Sequence, residues 1–230
     1  ILSNLIVLSK NRNKFKKSKK ANKLFNNKLA KKILGNIDFK LTISQENVIE
    51  EINKDLKSDK KMFRILQGDV GSGKTIVSFL TTANVLEIGF QSALMAPTAI
   101  LAKQHFNLAK KIFKNTHINV ELLTGKTEYS LRKKILDKLK NGEINLLIGT
   151  HALFQKKIEF KNLGYIIIDE QHKFGVKQRM SLAEKGGKNC DVLLMSATPI
   201  PRTMMLTIYG DMDVSKLIEK PKMRLPILTY

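Results

Sequence analysis

Eight consecutive residues, Gly68-Asp69-Val70-Gly71-Ser72-Gly73-Lys74-Thr75, fit the pattern G-x-x-x-x-G-K-[ST] and stand between an apolar run and a helical pattern. A loop that wraps an anion must turn sharply and bring backbone N–H groups close. A Cβ obstructs both, so Gly68, Gly71 and Gly73, with Ser72 between them, read as a phosphate cradle. Lys74 would reach the β- and γ-phosphates of a nucleoside triphosphate, Thr75 would offer its hydroxyl to Mg²⁺, and the helix N-terminus would add a favourable dipole. A second set of chemical groups follows the apolar run Gly164–Ile168, which ends in Asp169-Glu170-Gln171-His172. Two carboxylates thus emerge where a parallel sheet presents its ligands. Asp169 would hold Mg²⁺ through its water shell, and Glu170 would orient and deprotonate the water that attacks the γ-phosphate. Of the four histidines, His105, His117, His151 and His172, only His172 lies beside these residues in the chain, and it is a further catalytic candidate. No set of them has metal-ligand spacing, so Mg²⁺ is the one metal expected.

These groups need rigid elements to converge. After Phe39, short apolar runs alternate with longer amphipathic segments, which implies a parallel sheet with crossover helices. Strands are expected at Met62–Leu66, Ser92–Ala96, Val120–Leu123, Asn145–Gly149, Gly164–Ile168 and Asp191–Met195. Helices are expected near Gln45–Leu56, Lys74–Glu87, Ile100–Phe113, Ser130–Lys140 and Arg202–Ile208, with Leu131, Ile135, Leu136 and Leu139 forming one buried stripe of the fourth. The fold class is α/β: a P-loop nucleotide-binding domain with helices on both faces of a mostly parallel sheet, preceded by a basic helical arm.

Composition sets the limits. A length of 230 residues suits one good-sized core plus an appendage. The 43% apolar content excludes disorder of the whole, and no apolar run approaches the roughly 18 residues that cross a bilayer. Cys190 is the only cysteine, which excludes an internal disulfide framework and suits a reducing compartment. The net charge of +21 would attract a polyanion. Twelve of the 41 basic residues, against one acid (Asp38), fall within the first 40 positions. Residues 1–38 therefore read as a basic arm, in which a lysine-rich, solvated run from Lys10 to Lys32 is flanked by helix.

The ordered motifs resemble those of superfamily 2 helicases, and Asp169-Glu170-Gln171-His172 followed by Phe174-Gly175-Val176 is similar to the RecG type of branched-DNA helicase. Met95-Ala96-Pro97-Thr98, Gly149-Thr150-His151-Ala152-Leu153 and Ala197-Thr198-Pro199-Ile200-Pro201-Arg202-Thr203 carry the same resemblance. It covers residues 39 to 230 and implies a RecA-like motor domain over 39–224 that hydrolyses ATP, with Mg²⁺, to move on duplex DNA and remodel stalled forks and junctions. Residues 225–230 would begin the linker to a second motor domain. By the same resemblance, Leu41-Thr42 and Gln45 match an adenine-side motif. Pro97, Thr98, Thr124, Gly125, Thr150 and His151 match segments that touch the DNA backbone. Ser196, Ala197 and Thr198 match the segment that couples hydrolysis to motion, by bonding the acidic strand end differently in each nucleotide state.

Two departures stand out: Lys173 where arginine is common, and Ala99 where glutamate is usual. An arginine finger from the second motor domain contributes ~10³ to 10⁵ in rate, so this half is expected to bind ATP and hydrolyse it poorly. A monomeric motor working in the bacterial cytoplasm follows from the same resemblance. The alternatives are a transcription-repair coupling translocase, which usually carries glutamate at the position of Gln171, and a non-enzymatic basic nucleic-acid-binding module. A small-molecule kinase would leave Glu170 without work.

Overall fold

The computed structural model describes residues 19–155, 157–170, 187–198 and 212–219. Seven strands form one sheet: β1 (Phe63–Gly68), β2 (Gln91–Met95), β3 (Val120–Leu123), β4 (Leu146–Gly149), β5 (Leu163–Ile168), β6 (Asp191–Ser196) and β7 (Asp213–Leu217). Their order is β3-β4-β2-β5-β6-β1-β7, and every pairing is parallel. Five helices connect or flank them: α1 (Lys28–Gly35), α2 (Ile43–Lys57), α3 (Lys74–Glu87), α4 (Ala99–Ile112) and α5 (Tyr129–Asn141). This is the parallel sheet with crossover helices expected from the alternation of short apolar runs with amphipathic segments, in the RecA-like form that the resemblance implies.

β4, β5 and β6 are rich in Ile, Leu and Val because both faces of the sheet are covered, while β2, Gln-Ser-Ala-Leu-Met, is just as buried without them. Alternate residues enter opposite cores: Tyr165 and Ile167 pack with α1 to α4, while Ile166 and Ile168 pack with Ile135 and Leu139 of α5. α3 is buried on nearly every side, which is why its sequence is apolar or small almost throughout. On α5 the expected stripe is narrower: Ile135 and Leu139 are buried, but Leu131 is 49% exposed. It lies in the first turn of the helix.

Strand β7 carries no signal strong enough to predict it. It is a short edge strand of sequence Asp-Val-Ser-Lys-Leu, fixed instead by tertiary contacts. Arg64 of β1 donates to Ser215 on β7 at 2.8 Å, and to Glu51 and Asp55 of α2 at 3.1 and 2.9 Å. The expected helix Arg202–Ile208 lies outside the described residues.

The expectation of a solvated lysine run holds at Lys19, Lys31 and Lys32, which are exposed, and fails at Lys20 and Lys23. Phe25, Leu29, Ala30 and Ile33 enter the core, and Glu87 accepts the N–H groups of Asn26 and Leu29 at the start of α1. Lys20 and Lys23 are buried at the opposite edge of the sheet from Gly68, both closing on Asp191, the first residue of β6, at 2.6 Å. Cys190, beside it, is buried, and burial pushes its thiol pKa up. Among the described residues, no helix is long and apolar enough to cross a membrane.

Candidate functional site

Strand β1 delivers Gly68 to the carboxyl edge of the sheet, and α3 starts at Lys74. Between them Gly71 and Gly73 have φ of 81° and 90°, a region open to glycine at little cost. Gly73 has a second reason: a Cβ there would collide with the side-chain amide of Gln45. At Gly68 a Cβ would stand 2.6 Å from Ser72 Oγ, so the loop closes only because this position is bare. Lys74 bends its ammonium back onto the carbonyls of Gly68 and Asp69 at 2.5 and 3.0 Å. Burial pulls its pKa below the ordinary lysine value, while the carboxylates of Glu170, Asp169 and Asp69 pull it up.

The lysine and the acidic couplet, ninety-five positions apart, lie at the same edge of the sheet. Strand order explains it: β1 and β5 flank β6, so their carboxyl ends lie two strands apart on the same edge. Asp169 follows β5 directly, and its N–H donates to the carbonyl of Met95 at the end of β2 at 2.8 Å. Its Oδ1 accepts the N–H of Glu170 at 2.9 Å. Glu170 adopts φ of 46°, a left-handed conformation that is strained for a residue with a Cβ and turns the chain sharply as it leaves the strand.

Asp169 Oδ2 lies 2.8 Å from His105 Nε2, inside a buried contact. Chain order marks His172 as the histidine beside the catalysts; it falls outside the described residues, and among those described His105 from α4 meets Asp169. A signal for it existed. His105 lies on the buried stripe Ala102, His105, Ala109, Ile112, a polar side chain among apolar ones.

Gln45 is 2% exposed, and its amide is engaged at both ends. Its Oε1 accepts the N–H of Thr42 at 3.0 Å, completing a capping box with the Thr42 hydroxyl, and its Nε2 donates to the Ser72 carbonyl at 2.8 Å. Gln45 therefore braces the phosphate loop from α2. Ser196, at the end of β6 between the two halves of the site, donates to the Thr198 carbonyl at 3.1 Å and pairs with its hydroxyl at 3.2 Å; Ala197 is half-buried between them.

The remaining sequence candidates line up along the same edge. Pro97-Thr98, Thr124-Gly125 and Thr150-His151 follow β2, β3 and β4, which are neighbours in the sheet. Thr98, Gly125 and His151 are exposed, while Thr124 and Thr150 are buried. Thr98 also caps α4 by accepting the N–H of Leu101 at 3.2 Å, and Thr124 accepts that of Lys126 at 3.3 Å.

Does this edge fit a magnesium-bound triphosphate? The Ser72 hydroxyl is buried in the loop with no hydrogen-bond partner among the described residues, and the loop glycines leave space that side chains would fill. Thr75, half-buried at the start of α3, and Asp169 supply the hard oxygen donors that magnesium takes. The residues fit.

A seven-stranded parallel sheet, a glycine-cradled lysine and an acidic couplet across one intervening strand define a P-loop domain of RecA-like fold. The DEAD/DEAH box helicase family model matches residues 42–206, and the chain belongs to that family. Within it, the chain is 50% identical over 225 residues to the ATP-dependent DNA helicase RecG of Aquifex aeolicus, covering 97% of this chain and 28% of the relative. It is 51% identical over 202 residues to RecG of Thermotoga maritima, covering 88% of this chain and 26% of the relative. The chain thus spans under a third of the length of these relatives. A solved structure of RecG bound to a three-way DNA junction superposes with a TM-score of 0.84 at 45% identity, over 98% of this chain and 31% of that one. The DEAD-box helicase Mss116 bound to ssRNA and UDP-BeF gives 0.66 at 21% identity, over 84% of this chain and 44% of that one, which reports on the fold alone.

Proposed function

We propose that this chain is the nucleotide-binding motor half of an ATP-dependent DNA helicase that remodels branched DNA, acting as a monomer in the cytoplasm. The observation that carries the reading is that Lys74, after β1, and Asp169-Glu170, after β5, stand at the same edge of the sheet with one strand between them. Its support is the 50% identity to RecG of Aquifex aeolicus. Lys74 would hold the β- and γ-phosphates in the cradle made by Gly68, Gly71, Ser72 and Gly73. Thr75 and Asp169 would hold magnesium, which when bound neutralises developing charge on the phosphates. Glu170, which follows Asp169, would orient the attacking water and take its proton. The DNA backbone would run across the loops after β3, β4 and β2, where Thr98, Gly125 and His151 are exposed on neighbouring strand ends.

The test is ATP hydrolysis by the full-length protein with forked and with linear duplex DNA. Forked DNA is expected to stimulate turnover more, and Glu170→Gln is expected to keep nucleotide binding while losing turnover by about 10² or more, the range of a positioned general base. Equal turnover in Glu170→Gln and the unaltered protein would remove Glu170 from that role. Equal stimulation by the two DNAs would remove the branched substrate.

A further inference from the structure

We propose that His105 is a positioning residue for Asp169, fixing the carboxylate that faces the divalent cation and tying it to the corner between β2 and α4. The inference rests on the nucleotide-site reading above and adds a group to it. An aspartate's terminal torsion is broad and roughly two-fold, so a carboxylate held at one oxygen still swings. Asp169 is held at both: Oδ1 by the Glu170 N–H at 2.9 Å, and Oδ2 by His105 Nε2 at 2.8 Å. A carboxylate only accepts, so Nε2 carries the proton and donates it. The plane of the carboxylate is thereby set before any cation arrives, and one lone pair on each oxygen is left to face it.

The same bond closes a ring through the fold. Met95 ends β2, and its carbonyl accepts the Asp169 N–H at 2.8 Å. From Met95 the chain passes through Pro97 and Thr98, the latter capping α4, and two helical turns later presents His105 to the Asp169 side chain. Asp169 is thus bonded through its backbone to one end of the Pro97-Thr98 corner and through its side chain to the helix that the corner starts. A shift of that corner on contact with a polyanion would act on the plane of the carboxylate through His105.

The experiment uses the full-length protein, with Mn²⁺ as the probe, read by electron paramagnetic resonance in the presence of a non-hydrolysable ATP analogue. Removal of a hydrogen-bond partner behind a metal ligand typically weakens the metal about 10- to 100-fold. His105→Leu is expected to weaken Mn²⁺ by that factor, with metal-free affinity for the analogue unchanged and turnover recovered at raised Mg²⁺. His105→Gln, whose Nε2 reaches about as far, is expected to bind Mn²⁺ within a few-fold of the unaltered protein. His105→Asn, one bond shorter, is expected to resemble His105→Leu, and this pair of amides carries the test if the leucine variant does not fold. Mn²⁺ affinity unchanged in His105→Leu, or equally impaired in the glutamine and asparagine variants, would overturn the inference. Failure of the unaltered protein to hold Mn²⁺ with the analogue is a distinguishable result, which would overturn the nucleotide-site reading and this inference with it.

Discussion

At one edge of the sheet Lys20 and Lys23 close on Asp191 at 2.6 Å; at the other, Lys74 donates to main-chain carbonyls and feels Asp169 and Glu170 electrostatically. The difference lies in how much of each carboxylate is used. Asp191 accepts from Lys20 at both oxygens, from Lys23 at Oδ2 and from the Met62 N–H at Oδ1, so four hydrogen bonds fill its roughly four lone-pair sites. Asp169 spends two, on His105 and the Glu170 N–H. A saturated carboxylate in a dry site can do nothing except hold the fold, and a half-spent one beside a desolvated lysine has capacity for a ligand. Ion pairing alone does not distinguish a functional edge from a structural one; unspent acceptor capacity does.

The sharpest way to break this comparison is to neutralise one carboxylate at each edge. Asp191→Asn strands two buried ammonium groups, and stranding a buried charge costs about 3–5 kcal/mol. For a domain of this size that corresponds to a fall in Tm of about 10 °C, measured by circular dichroism. Burial already depresses the Lys20 pKa against the pull of Asp191, so losing that carboxylate removes its main support. Asp169→Asn keeps an acceptor for His105, loses the bond from the Glu170 N–H and relieves repulsion from Glu170, and is expected to cost about 1 kcal/mol, well below the loss at Asp191. Equal losses at the two positions would erase the distinction. Lys74→Ala turns the comparison round: nucleotide affinity is expected to fall about 10- to 100-fold, the worth of one or two charge-assisted hydrogen bonds, with Tm nearly unchanged. Fluorescent-nucleotide titration beside a thermal melt checks both.

The two edges also differ in how they could be read from sequence. The functional edge was legible because its constraints are local: Gly73 must take a positive φ, Lys74 must follow it, and the apolar run of β5 must end in acids. Six of the seven strands were legible because short apolar runs alternate with longer amphipathic segments, most plainly at β4, β5 and β6, where Ile, Leu and Val run together. The structural edge was not. Lys20 and Lys23 sit in a lysine-rich segment, where nothing local distinguishes a buried ammonium from a solvated one, and their partner lies 168 or more positions away. Strand β7 failed for the same reason, since Ser215 is held by Arg64 from 151 positions off. His105 was within reach as a polar interruption of an apolar stripe, but its meaning depended on Asp169, 64 positions on.

Gly73→Ala sharpens the functional edge on its own terms. Alanine at φ of 90° costs about 1–2 kcal/mol in backbone strain, and its Cβ would displace the Gln45 amide. Nucleotide binding is expected to drop with stability, and adding Gln45→Ala to it should recover part of the stability loss by clearing the collision. Urea unfolding of both variants reads this directly; a double variant no more stable than Gly73→Ala would show that strain alone sets the cost.

The smallest expected effect is Gln45→Ala alone, and it separates two roles for that amide. Losing one side of a capping box costs about 0.5–1 kcal/mol, so the fold should survive. Because Oε1 is bonded to the Thr42 N–H and Nε2 to the Ser72 carbonyl, the amide acts on the loop, and the loop meets the phosphates common to all nucleotides. ATP and GTP are therefore expected to weaken by the same few-fold factor. A loss confined to ATP would mean that the amide exchanges these bonds for the edge of adenine when nucleotide binds, and the brace would then be the resting position of a base-reading group. Competition titrations with the two nucleotides, on Gln45→Ala and the unaltered protein, decide between a strut and a reader.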